Sequence, residues 1–177
     1  MDSRGFFYVI DRGTSRIVKI DASGELAFVI EGGKRKPGSF YYSGKIAVDD
    51  QDRLYVYNFM PNMTDGFLER EEILRYFPDG RFDRVAVSYE YGSESKKRRE
   101  SIIRFYVKGD EIYYYYKEGN LISLFVTHQT QKATLPLFTI EVKEDVVDIA
   151  GWKPGQIYLT TKKGQILRIE KDLRLTE

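Results

Sequence analysis

Short apolar runs separated by turn residues recur along the whole chain. Four such runs align with one another, at residues 7–10, 54–57, 112–115 and 157–160. Each is followed by a second apolar run, at residues 16–20, 72–76, 120–124 and 165–169. Apolar side chains occupy odd and even positions alike in the first runs, which predicts strands buried on both faces. No stretch has the period of an amphipathic helix, so the pattern predicts an all-β protein.

The aligned runs repeat with a nearly constant period. Their equivalent tyrosines are separated by 47, 58 and 45 residues, and they are Tyr8, Tyr55, Tyr113 and Tyr158. The long interval arises from about nine additional residues between the two runs of the second unit. A period of roughly 40–50 residues with four strands is typical of β-propeller blades. The sequence therefore predicts a β-propeller, and the aligned tyrosines are expected to pack between its blades rather than to form a binding site.

The predicted domain is a single propeller segment of residues 1–177, with about four blade units of four antiparallel strands. The approximate units are residues 1–36, 37–92, 93–143 and 144–177. The first unit has no room for an innermost strand, and the last keeps only residues 173–176 for its outermost strand. Because closure removes the open edges of a propeller, we expect part of a larger propeller. The alternative is a chain completed by a partner that pairs with an open blade edge.

Two of the four units resemble the NHL-type propeller repeat. Residues 46–49, 54–58 and 73–80 read Ile-Ala-Val-Asp, Leu-Tyr-Val-Tyr-Asn and Ile-Leu-Arg-Tyr-Phe-Pro-Asp-Gly, and residues 2–24 look like the same repeat entered late. The third and fourth units lack the Asp-x-x-Gly hairpin after their third strand. The resemblance covers roughly half of the chain and implies the propeller fold. Since some NHL-type domains bind RNA, it also implies RNA as one kind of partner.

Composition narrows the chemistry of the chain. Lys and Arg number 28 against 27 Asp and Glu, which leaves a net charge of +1, and the chain has no cysteine and one histidine. Disulfides, cysteine-based metal sites and multi-histidine metal sites are therefore excluded. The sequence also lacks a nucleophile elbow, a phosphate-cradling glycine motif and a spaced carboxylate pair. No catalytic residue, metal or cofactor is predicted.

The favoured function is a non-catalytic ligand- or protein-binding module, such as a sensor or interaction domain of a larger protein. A propeller-type lyase or hydrolase is a further alternative. The N-terminus has no signal-peptide pattern, and no apolar run reaches the ~20 residues that span a bilayer. An extracytoplasmic domain of a secreted or membrane-anchored parent fits the same sequence.

The candidate binding residues lie in loops expected on one face of the propeller. These residues are Lys34, Arg35, Lys36, Tyr41, Tyr42, Phe59, Met60, Phe67, Tyr91, Lys96, Lys97, Arg98 and Arg99. Cations beside aromatic rings are typical of surfaces that bind single-stranded nucleic acid or another polyanion. The same rings suit a sugar or a peptide, and the cations suit a solvated loop. Residues 59–70 are predicted to be an apolar loop that covers a blade edge or docks a partner.

Overall fold

A computed structural model describes residues 1–91, 101–128, 135–151 and 156–169. These residues contain β-strands and no helix, which confirms the all-β prediction. The strands are β1 (Phe7–Asp11), β2 (Arg16–Ile20), β3 (Leu26–Glu31), β4 (Tyr42–Val48), β5 (Leu54–Pro61), β6 (Leu68–Tyr76), β7 (Phe82–Glu90), β8 (Ile102–Lys108), β9 (Glu111–Glu118), β10 (Leu121–His128), β11 (Phe138–Glu141), β12 (Val146–Ala150), β13 (Ile157–Thr161) and β14 (Ile166–Ile169).

The strands form four antiparallel sheets in which neighbours in sequence are neighbours in space. The first sheet is β1-β2-β3, the second β4-β5-β6-β7, the third β8-β9-β10-β11 and the fourth β12-β13-β14. In the described residues β1 pairs only with β2, so its other edge is unpaired. The outermost strand expected at residues 173–176 lies outside the described residues.

The chain divides into two compact units, Met1–Glu100 and Ser101–Glu177, each built from two sheets. In the first unit, one face of the first sheet packs on the second sheet through Ile17, Ile30, Phe40, Leu54, Val56, Leu74 and Tyr76. In the second unit, the third and fourth sheets share a core of Tyr115, Ile122, Leu124, Val142, Val146, Ile149, Ile157 and Leu159. Burial of these apolar side chains is the main favourable contribution to folding in each unit.

One turn geometry recurs at the starts of β1, β3 and β5. In each case an aspartate Oδ1 accepts the backbone N–H groups two and four residues further on, at 2.8–3.0 Å. The residue three positions after the aspartate has a positive φ, which glycine adopts without strain. The aspartates are Asp2, Asp21 and Asp49, and the residues with positive φ are Gly5, Gly24 and Asp52. These carboxylates therefore shape the turns.

The aligned tyrosines are not all core residues. Tyr55 is fully buried, and Tyr8 and Tyr113 are half-buried against the cores of their units. Tyr158 is 41% exposed, so it is not a core residue among the residues that the structure describes. Its neighbours Ile157 and Leu159 are part of the core of the second unit. Because side chains alternate along a strand, Tyr158 lies on the opposite face of the sheet.

Half of the segment predicted as a loop at residues 59–70 is strand. β5 continues to Pro61 and β6 begins at Leu68, with Phe59 opposite Glu71 and Met60 opposite Arg70. The loop prediction is therefore wrong for residues 59–61 and 68–70, which lengthen a hairpin. Its short turn is closed by backbone hydrogen bonds between residues 62 and 67 and by the side chain of Asn62.

Candidate functional site

The first unit contains a groove of about 300 Å³ where β1 ends and β4 begins. Two elements from each sheet meet there: the end of β1 and the turn that follows it, and the starting residues of β4 with the end of β5. The lining residues are Ile10, Asp11, Arg12, Ser15, Phe40, Tyr42, Ser43, Gly44 and Phe59. The volume is at the small end of the range of ligand-binding sites.

Aromatic rings form one side of the groove. Tyr42 and Phe59 are directly opposite each other in the pairing of β4 with β5, and their ring centroids are 5.9 Å apart. Tyr41 meets Tyr42 edge to face at 5.0 Å, an arrangement that aromatic pairs favour. Half of the surface of Tyr42 is exposed, so its ring is available to a ligand.

Two polar side chains in the groove have unused hydrogen-bonding capacity. Arg12 is exposed, and within the described residues its one hydrogen bond is a long one, from Nη2 to the carbonyl oxygen of Gly44 at 3.5 Å. Ser43 is 9% exposed, and its buried hydroxyl oxygen has no hydrogen-bond partner in the described part of the chain. A buried polar atom without a partner costs about 1–3 kcal/mol.

Asp11, by contrast, is engaged by the turn that follows it. Its Oδ1 accepts the N–H groups of Gly13 and Thr14, at 2.9 and 3.2 Å, and its Oδ2 accepts the hydroxyl of Thr14 at 2.5 Å. The hydrogen bonds from the hydroxyl and the backbone of Thr14 lower the pKa of Asp11. The carboxylate therefore stabilises the turn that contains Arg12.

A close backbone approach holds the β3–β4 loop against the groove. The N–H of Gly32 donates to the carbonyl oxygen of Ser15 at 2.8 Å, and the N–H of Gly33 donates to that of Phe40 at 2.9 Å. A Cβ on Gly32 would lie 2.2 Å from Cε2 of Phe40 and 2.6 Å from the oxygen of Ser15. Only glycine allows this packing, which places the ring of Phe40 in the groove.

The three residues of the first predicted basic cluster, Lys34, Arg35 and Lys36, differ in their contacts. Arg35 donates to the carbonyl oxygen of Pro61 at 2.9 Å and forms an ion pair with Glu69, so it ties the β3–β4 loop to the β5–β6 hairpin. Lys34 and Lys36 are exposed on the same loop. The second predicted cluster, Lys96, Lys97, Arg98 and Arg99, lies outside the described residues.

The predicted aromatic and apolar site residues separate into three groups. Tyr42 and Phe59 line the groove, and Tyr41 lies beside them with its hydroxyl 3.3 Å from Sδ of Met63. Phe67 is half-buried. Met60 is buried, with 3% of its surface exposed, and lies opposite Arg70 in the lengthened hairpin.

Tyr91 and Tyr41 are both tied to buried polar groups of the second sheet. The hydroxyl of Tyr91 donates to the carboxylate of Glu71, which also accepts the hydroxyl of Tyr57 at 2.6 Å. The N–H of Tyr41 donates to Oδ1 of Asn58 at 2.7 Å. These bonds give both tyrosines a structural role at the end of the sheet.

Sequence reasoning missed most of the groove. Arg12 and Ser43 are separated by 31 residues and lie in no motif, and tertiary packing alone brings them together. The available signal was local: Asp11 before a Gly-Thr-Ser turn, and paired glycines before Phe40.

Comparisons with known proteins identify no relative. A scan against protein-family models found no match, and a search of curated proteins found none either. The ranges that the structure describes contain no group of three or more His, Asp or Glu residues able to hold a metal ion. They also contain no helix of the length and apolarity needed to cross a membrane.

Proposed function

We propose that the chain is a non-catalytic binding module of the β-propeller type, which holds a small ligand in the groove of the first unit. The observation that carries this proposal is the combination in one concave site of an exposed guanidinium with a single long hydrogen bond, a buried hydroxyl without a partner among the described residues, and an exposed aromatic ring. Ligand sites are typically concave and largely apolar, with a few polar groups that orient the ligand.

The propeller architecture is supported by the outer face of the first sheet. Ile17 and Ile30 face the core, whereas Val9, Val18 and Val29 are aligned on the opposite face. Val9 and Val29 are exposed, as are Phe7 and Leu26. An apolar sheet face of this kind is normally covered. In a propeller of NHL type, the neighbouring blade covers it.

Binding is favoured over catalysis by the state of the polar groups in the groove. A general base needs a pKa near the working pH and a free acceptor. Asp11 has a lowered pKa, and both of its carboxylate oxygens accept hydrogen bonds. A serine nucleophile needs an adjacent base, and the hydroxyl of Ser43 has no hydrogen-bond partner among the described residues. These features support a site that holds a ligand unchanged.

Polyanion binding is a second proposal, supported by one specific observation. Lys34 and Lys36 are exposed on the loop that supplies Phe40 to the groove. Arg35 contributes less, because Glu69 already neutralises its charge. The proposed polyanion surface is therefore centred on the two lysines.

The binding proposal is tested by titrating a chemically broad set of small molecules into the isotopically labelled chain. Backbone NMR signals of Tyr42, Ser43 and Gly44 are expected to shift with at least one compound. The matched control is Gly44→Leu. A Cβ at Gly44 meets only Nη2 of Arg12, at 3.5 Å, so the added side chain fits the backbone and fills the groove. Absence of any shift in the wild type, or equal shifts in Gly44→Leu, contradicts the proposal.

A further inference from the structure

We propose that the groove recognises the carboxylate of a small acid with an apolar body, an inference that rests on the binding function proposed above. Arg12 is the anchor for the carboxylate, and Ser43 is the second donor. The rings of Tyr42 and Phe59 contact the apolar body. The ligand is thus an amphipathic monocarboxylate.

The sign of the ligand charge follows from which hydrogen-bonding groups are free. A guanidinium has N–H donors and no acceptor, and that of Arg12 makes only a 3.5 Å contact to Gly44 in the described structure. Asp11 keeps its negative charge, but both of its oxygens are engaged by Gly13 and Thr14 of the turn. The lining group with the most unused hydrogen-bonding capacity is therefore the guanidinium of Arg12, which favours an oxyanion over an ammonium group. Arginine also binds carboxylates with two parallel bonds.

The hydroxyl of Ser43 adds a donor beside this cation. In its present rotamer it is buried and has no hydrogen-bond partner among the described residues. Ser43 lines the groove, and a change of χ1 between staggered rotamers allows the hydroxyl to donate to a ligand oxygen. The new bond removes the penalty of an unpaired buried group, which adds to the affinity.

The size and walls of the groove limit the body of the acid. A volume of about 300 Å³ is at the lower limit for ligand sites and suits one ring with a short acid chain. Ile10, Phe40 and Phe59 supply apolar surface around that space. A carboxylate next to one apolar group is found in free small acids and at the C-terminal residue of a peptide. Both sources share the chemistry that the groove recognises.

The decisive experiment compares phenylacetate with phenylacetamide, which has the same shape and no charge. Both are titrated into the labelled chain of residues 1–177 by NMR. We expect the acid to bind at least about tenfold more tightly than the amide, because charge-assisted hydrogen bonds are about twice as strong as neutral ones. Arg12→Gln is expected to lower the affinity for phenylacetate to that for phenylacetamide, and to leave the affinity for phenylacetamide unchanged. Ser43→Ala is expected to lower the affinity for phenylacetate severalfold.

The matched control is Arg16→Gln, because Arg16 is a nearby exposed arginine that pairs with Glu31 at 3.2 Å and does not line the groove. It is expected to leave both affinities unchanged. Equal binding of acid and amide, or full acid affinity in Arg12→Gln, overturns the proposal. So does an equal loss in Arg16→Gln, since the effect is then general electrostatics.

Two further comparisons are informative. One distinguishes a small free acid from a peptide C-terminus, and the other distinguishes failure of the carboxylate inference from failure of the binding proposal. A hexapeptide ending in a free phenylalanine carboxylate is compared with its C-terminal amide. Tighter binding of the free peptide than of phenylacetate identifies a peptide C-terminus, and the reverse order identifies a small acid. If other compounds shift the groove signals and neither acid does, the carboxylate inference fails while the binding function stands. If no compound shifts them, both fail.

Discussion

The side chain of Lys19 is buried in the first unit as a charged group. Only 2% of it is exposed, and its Nζ lies 2.7 Å from Oδ2 of Asp2, whose side chain is 0% exposed. Nζ also donates to the carbonyl oxygen of Pro78 at 3.3 Å and lies 5.0 Å from the ring centroids of Phe6 and Tyr8. A carboxylate, a carbonyl group and aromatic faces thus replace the water around the ammonium group.

Replacing Lys19 with methionine removes the closer of two cations at Asp2 and keeps most of the apolar stem. The exposed Arg4 remains, with Nη2 3.9 Å from Oδ2 of Asp2. Removing one partner of a buried ion pair costs about 3–5 kcal/mol, because the other charge stays buried without compensation. Oδ1 of Asp2 still accepts the N–H groups of Arg4 and Phe6, both at 3.0 Å. We therefore expect the lower end of that range, a loss of about 3 kcal/mol in the free energy of unfolding.

The double variant Asp2→Asn/Lys19→Met separates charge burial from packing. Asparagine keeps the Oδ1 acceptor for the turn, and neither position then carries a charge. We expect the double variant to lie within about 1 kcal/mol of the wild type, because uncharged replacements of a buried pair are often neutral. Urea denaturation followed through NMR signals of the first unit measures all three free energies.

A matched control is available in the second unit. Nζ of Lys162 lies at the same 2.7 Å from Oδ2 of Asp145, but the two side chains are 54% and 55% exposed. Exposed ion pairs contribute about 0–1 kcal/mol, so Lys162→Met is expected to cost less than 1 kcal/mol. Equal losses for Lys19→Met and Lys162→Met, or a double variant as unstable as Lys19→Met, would refute the reasoning.

The pH dependence supplies an independent check on the same pair. Burial by itself raises the pKa of Asp2, but hydrogen bonds from Lys19 and from the backbone of Phe6 outweigh it and lower the pKa overall. Burial likewise lowers the pKa of Lys19, and the neighbouring side chains of Asp2 and Tyr8 raise the pKa overall.

The sign of each contribution fixes the pH window of the effect. The contribution of Asp2 is present above its unfolded-state pKa of about 3.9 and is lost as the pH falls through the lowered folded-state pKa. The contribution of Lys19 is present below about 10.4 and is lost as the pH rises through the raised pKa. The stability difference between wild type and Lys19→Met is therefore expected to be largest from about pH 4 to pH 10.

Three other predictions follow from burial, close contact and exposure. Tyr55→Ala is expected to cost about 3–5 kcal/mol and Tyr158→Ala less than 1 kcal/mol, measured by urea denaturation; similar values contradict the assigned faces. Gly32→Ala is expected to cost at least about 1–3 kcal/mol by overpacking and to shift the NMR signals of the groove, whereas an unchanged spectrum contradicts the close approach. Lys34→Ala/Lys36→Ala is expected to weaken heparin retention at about 50 mM salt and to reduce the salt slope by about 2; unchanged retention contradicts the polyanion proposal.

The strands were predictable because their pattern is local. Residues 7–10 and 54–57 are apolar at consecutive positions between turn residues, and backbone pairing needs little more than such runs. The position of Tyr158 was not predictable from the same pattern. Its exposure depends on what covers the outer face of the fourth sheet, and that is a property of tertiary packing.

The candidate site was predictable only in part, for the same physical reason. Tyr42 and Phe59 were predicted as site residues because they are aromatic residues of predicted loops, whereas the structure places them in β4 and β5. The ion pair of Arg35 with Glu69, 34 residues away, has no signal in the sequence. The prediction therefore counted Arg35 as an unpaired cation beside Lys34 and Lys36. Arg12 was overlooked because a single arginine in a short turn has no distinguishing pattern.

The unpaired hydroxyl of Ser43 leads to a prediction that links stability to binding. Buried polar groups without partners are uncommon, and functional sites are one place where they are retained. If Ser43 is kept for a ligand, Ser43→Ala should raise the free energy of unfolding of the free protein by about 1 kcal/mol, because an unsatisfied group is removed. The same change should weaken binding of phenylacetate.

Ser39 is the matched control, since it is a buried serine of the same unit with hydrogen bonds. Its single hydroxyl proton has two carbonyl oxygens as possible acceptors, that of Glu31 at 3.3 Å and that of Phe40 at 3.4 Å. Ser39→Ala should therefore lower the free energy of unfolding by about 0.5–1.5 kcal/mol. Opposite signs for the two substitutions, measured by urea denaturation, are the expected result. A loss of stability in Ser43→Ala equal to that in Ser39→Ala would mean that the hydroxyl of Ser43 is paired in the free protein, and its unpaired state would no longer support a ligand.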